Sequence, residues 1–147
     1  MHQLAPLIHN ALPHLSFRLR ALIDALLLAG GSVGTAQELA DRLGFQNRFC
    51  LARVLARAGL PPVHRLSGWI TVLHWTWAWE REGVSLPRAA LRAGREPPAC
   101  YRLVRRVTGA PWAQVRQAGA EWVLARFLEQ CAVSDTEPTT ALERAIA

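Results

Sequence analysis

Two stretches of this 147-residue chain match one another at an offset of fifty residues. LADRLGFQNRFCLARVLARAGLPP runs from Leu39 to Pro62, and AALRAGREPPACYRLVRRVTGAPW from Ala89 to Trp112. In that register Gly44 matches Gly94, Cys50 matches Cys100, Val54 matches Val104, Gly59 matches Gly109 and Pro61 matches Pro111. An internal repeat limits the fold more than any single motif, because both copies must adopt the same supersecondary unit. The matched glycines and prolines are chain-reversal residues, so each copy reads as helix, tight turn, helix.

Local chemistry agrees in both copies. Thr35 can N-cap a first helix, with Glu38 three residues on completing a capping box, and Leu39, Ala40 and Leu43 give it an apolar stripe. Gly44 ends that helix. Asn47 can cap a second one, striped by Leu51, Val54 and Leu55 with Cys50 and Ala58 beside them; Gly59 and Pro61-Pro62 close it. In the second copy Ser85 is the cap, Pro87 suits the first turn, and Leu86, Ala90 and Ala93 are expected to face inward. Pro97-Pro98 fit the start of a helix striped by Cys100, Leu103, Val104 and Val107, and Gly109 and Pro111 end it.

Subtracting the inward stripes leaves the outward faces. The second helix of copy one exposes Asn47, Arg48, Phe49, Ala52, Arg53 and Arg57; that of copy two exposes Tyr101, Arg102, Arg105 and Arg106. Neither helix carries an acid within it, although Glu96 lies just before the second. All 17 basic residues are Arg, and the formal net charge is +6. The charge is uneven: between Arg42 and Arg116 there are thirteen arginines and three acids, Glu80, Glu82 and Glu96. A basic middle of this kind points to nucleic acid, since the guanidinium fork matches phosphate and guanine.

These residues resemble the AraC/XylS-type DNA-binding domain, in which two helix-turn-helix units are joined by a long linker helix. TAQELADRLGFQNRFCLARVLARAGLPP follows that family's E-L-A, L-G-F, Arg-bearing recognition helix and G-x-x-P. SLPRAALRAGREPPACYRLVRRVTGAPWAQVR keeps its opening Ser, A-x-x-x-G turn, closing G-x-P and V-R. The likeness covers about Leu19 to Ala118. The chain departs from the family pattern at Arg88, at Arg95 after Gly94, and at Pro97-Pro98. The resemblance implies an all-α fold: an N-terminal arm over 1–14, a first unit over 15–65, a linker helix over 66–82, a second unit over 83–131 and a polar tail over 132–147. It implies a transcriptional regulator that reads double-stranded DNA as a monomer or weak dimer and works alongside RNA polymerase, needing no cofactor or metal. The outward residues named above are then the DNA-binding set. No ligand-sensing barrel precedes this unit, so a stand-alone DNA-binding domain is expected.

The segment WITVLHWTWAWERE, Trp69 to Glu82, falls where the linker would lie. Alternate Trp75, Trp77 and Trp79 could suit a strand, but no other segment offers a partner strand. As a helix it has two apolar stripes, Leu66–Ile70–Leu73–Trp77 and Trp69–Val72–Trp75 or Thr76–Trp79, and so is expected to be buried on two sides. A base-stacking platform would need exposed rings instead.

The flanks read as packing helices, Leu15 to Ala29 and Glu121 to Cys131. The apolar runs fall short of the ~20 residues of a membrane span, and no signal peptide is evident. Cys50, Cys100 and Cys131 form neither a disulfide framework nor a zinc site, which suggests a reducing cytoplasm. No nucleophile–base pair or phosphate loop suggests an enzyme. The competing expectation is a protein-interaction module of this fold that no longer reads DNA.

Overall fold

The structure is a computed structural model that describes residues 3–32 and 34–131. The polar tail lies outside these residues. Within them the chain is helical and has no strand. In order the helices are α1 (Leu4–Ala11), α2 (Phe17–Leu28), α3 (Ala36–Arg42), α4 (Arg48–Arg57), α5 (Val63–Glu82), α6 (Leu86–Arg92), α7 (Pro97–Thr108) and α8 (Trp112–Ala118). A ninth, α9, spans residues 120–131. Among the described residues no helix is long and apolar enough to cross a membrane.

The fifty-residue repeat has a structural counterpart. Helices α3 and α6 begin fifty residues apart, each behind a hydroxyl cap: Thr35 Oγ1 accepts the Glu38 N–H at 3.2 Å, and Ser85 Oγ accepts that of Arg88 at 3.4 Å. Glu38 answers by accepting the Thr35 N–H at 3.0 Å, completing the capping box. Both helices then end on a left-handed glycine, Gly44 (φ 76°) and Gly94 (φ 65°). The next residue closes the turn in the same way each time. Phe45 N–H donates to Ala40 O at 2.9 Å, and Arg95 N–H to Ala90 O at 2.8 Å. Ala93, expected inward, is exposed, because it already belongs to this turn.

Helix α5 is the organising element. It begins at Val63, directly after Pro61-Pro62, and packs against α2, α6, α7 and α8. Leu66 and every residue from Gly68 to Leu73 are buried, as are Trp75 and Thr76. The buried hydroxyls of a helix enclosed this fully need partners within it. Thr71 and Thr76 do so by donating to the carbonyls one turn back, Ser67 O and Val72 O, each at 2.8 Å. Gly68 lets α7 approach closely: a Cβ there would lie 3.0 Å from Val107 Cγ2. Trp69 meets Phe127 of α9 with ring centroids 6.1 Å apart. Burial of Trp69 and Trp75 fits the core reading of the tryptophans, whereas Trp77 and Trp79 are half-buried, with Arg81 and Arg116 over their rings at 4.5 and 4.9 Å.

Three further departures from the sequence expectation have local causes. The segment expected to be an arm contains α1, whose Leu4 and Ile8 are fully buried against the core. Pro6 stands in its first turn, where a missing N–H costs nothing. His9 Nε2 also meets Asp24 Oδ1 at 2.7 Å, joining α1 to α2. Helix α2 starts at Phe17, because Ser16 caps it through the Leu19 N–H. Between Pro111 and Gly119 lies α8, whose Trp112 and Val115 are buried.

Candidate nucleic-acid interface

Helix α4 is set by its cap. Asn47, in extended backbone, accepts the Cys50 N–H at 3.0 Å. The Arg48 N–H donates to Gln37 Oε1 at 3.3 Å, fastening the start of α4 to α3. With Leu51 and Leu55 buried inward, the opposite face is fixed: Arg48, Phe49, Ala52, Arg53 and Arg57 are exposed, and Asn47 is half-buried. Phe49 stands 63 % exposed with the Arg48 guanidinium 5.0 Å over its ring. Arg53 Nη2 donates to Cys50 Sγ at 3.4 Å, a weak contact that leaves its other donors open.

Helix α7 is more sharply two-faced. Cys100, Leu103 and Val104 are buried; Tyr101, Arg102, Arg105 and Arg106 are exposed. The two prolines occupy its first positions, where absent N–H groups break no intrahelical bond, and Glu96 is its N-cap residue. Among the described residues the ion pairs are His9–Asp24 and Arg126–Glu129, and none of their carboxylates pairs with an arginine of either helix.

The two faces meet over the start of α5. Arg48, Phe49 and Ala52 of α4 and Leu103 and Arg106 of α7 line one groove of about 580 Å³, with Ser67 and Gly68 of α5 between them. Asn47, Arg53, Arg57, Tyr101, Arg102 and Arg105 lie outside its lining. Two basic contributors escaped the sequence reading, Arg95 and His64. Both sit outside the second helices of the repeat, and the bias to arginine was the sole signal for Arg95. The Arg95 guanidinium also lies 5.9 Å over the Trp75 ring.

Titration adds little chemistry here. Burial raises the pKa of the Cys100 thiol, while the Arg95 charge pulls it the other way. Burial likewise pushes the Cys131 thiol up to about 12. Among the described residues no three of His, Cys, Asp and Glu gather where they could hold a metal ion. The surface offers guanidinium forks, the exposed rings of Phe49 and Tyr101 and small alanines that permit close approach. Such a surface can bind a polyanion and stack on or fill a groove. In comparisons with known proteins, no family model, curated protein or solved structure matches the chain.

Proposed function

We propose that the chain is a sequence-specific DNA-binding transcriptional regulator of the AraC/XylS type. In this reading α3–α4 and α6–α7 are two helix-turn-helix units, α5 is the linker helix, and α4 and α7 are the recognition helices. Each enters a major-groove segment of double-stranded DNA, the two centres about one turn (~34 Å) apart on one DNA face. Arg53 and Arg57, one turn apart on α4, reach base edges with Arg48, while Ala52 leaves room for the groove floor. On α7, Arg102, Arg105 and Arg106 supply base or phosphate contacts beside Tyr101.

The observation that carries this reading is the pairing of two repeat-related helices whose arginine faces have no carboxylate partner among the described residues and border one groove. A structural corner repeated for packing alone has no need of two such faces. The test is selection of bound sites from a random duplex library, followed by titration of the winner across salt. The expected result is a two-part motif spanning about two helical turns and a steep log–log salt dependence. A one-part motif would leave α7 as a backbone clamp. No enrichment, with binding that vanishes near physiological salt, would replace this reading with a protein-interaction module.

A further inference from the structure

A second hollow lies beside the groove between α4 and α7. This cleft, about 700 Å³, is walled by His64 and Arg65 at the start of α5, by Arg106 of α7 and by Arg126 of α9, over the buried Trp69. Among the described residues no carboxylate lines it. Glu129 approaches Arg126 at 3.8 Å, but both are exposed and one turn apart on a helix, a pairing too weak to neutralise the cluster. Arg126 is further steadied over the Trp122 ring at 5.4 Å. Three guanidinium groups around one concavity repel one another until an anion enters, and the planar fork suits phosphate oxygens.

Position gives the cleft its meaning. His64 and Arg106 line both hollows, so they form a shared wall between the cleft and the groove that holds Arg48 and Phe49. A basic path therefore runs from α4 past Arg106 to α9. Arg65 and Arg126 lie on neither recognition helix.

We propose that this cleft seats backbone phosphodiesters of the bound DNA, with Arg65 and Arg126 as the phosphate ligands, which makes α9 a DNA-contacting element. The assignment rests on the DNA-binding reading above. Such contacts fix register on the duplex without reading its sequence.

The test compares the full chain with R65Q/R126Q and with the charge-matched R81Q/R116Q, each checked for an unchanged thermal melt. Binding is measured on the selected duplex and on random-sequence duplex, across salt. The expected result is that R65Q/R126Q alone loses affinity on both duplexes. Its log–log salt slope should be shallower by about two phosphate contacts, so the affinity ratio between about 50 and about 200 mM salt shrinks roughly tenfold, and the selected motif is retained. Equal slopes for the two double variants on both duplexes would overturn the cleft assignment, even if the wild-type chain enriches a clear motif. An absent motif with a slope change confined to R65Q/R126Q on random duplex would keep the cleft and remove sequence-specific reading.

Discussion

The Glu80 carboxylate accepts the backbone N–H of Ala120 at 2.9 Å, across forty residues of chain. Glu80 sits near the end of α5 and Ala120 opens α9, so one charge-assisted bond both caps α9 and joins it to the central helix. Gly119 makes the approach possible. Its backbone (φ 98°, ψ 171°) is open essentially to glycine alone, and a Cβ there would collide with Glu80 Oε1. Glu80→Ala is expected to cost ~1–2 kcal/mol by urea denaturation, in the range of a lost helix cap. Gly119→Ala is expected to cost at least as much. Full stability in both variants would show that α9 docks by apolar packing alone.

Trp69 and Trp77 should separate cleanly in mutation. Trp69 is 6 % exposed and meets Phe127, whereas Trp77 is half-buried beneath Arg81. Trp69→Ala is expected to destabilise by ~3–5 kcal/mol, and Trp77→Ala by distinctly less. Thermal melts followed by near-ultraviolet dichroism give the comparison. Equal losses would mean that α5 is gripped as tightly at its end as at its centre.

Arg53→Ala should weaken binding to the selected duplex by ~1–3 kcal/mol and relax one base position. Arg53 is exposed and makes no ion pair among the described residues, so the fold should be untouched. An unchanged motif and affinity would remove Arg53 from the reading face.

Acid should destabilise the fold partly through His74. Burial lowers its pKa, with Glu82 partly opposing, and its Nδ1 is sealed without a hydrogen-bond partner among the described residues. A folded pKa below the unfolded value means that the unfolded chain takes up the proton first. Stability should therefore be intact above the ordinary histidine range, ~6.5, and decline as pH falls through it towards the lower folded value. His74→Gln is expected to reduce the drop in Tm between neutral pH and about pH 5.5. An identical drop in both proteins would clear His74 of this role.

The cysteines should differ in reactivity. Cys50 is half-exposed, while Cys100 and Cys131 are buried with pKa values raised by that burial. Mass spectrometry after brief alkylation should find Cys50 labelled in the native chain, and Cys100 and Cys131 only after unfolding. Rapid native labelling at Cys100 would show that α7 opens locally.

The sequence alone determined what depends on neighbours along the chain. The caps at Thr35, Asn47 and Ser85, the turns at Gly44 and Gly94, and the inward stripes of α4 and α7 were legible because capping and helical periodicity act within one or two turns. The same periodicity identified the arginine faces as outward. Tertiary structure decided what depends on distant segments. Helix α1 is too short to be stable alone and exists by burying Leu4 and Ile8 against the core. Trp77 and Trp79 carry the same apolar signal as Trp69, yet they keep partly exposed rings under arginines. Arg48 and Arg106 border one groove, and Arg65, Arg106 and Arg126 one cleft, because α7 and α9 pack against α5. No local rule encodes that convergence: a periodic pattern says which face is buried, and only packing says which exposed faces meet.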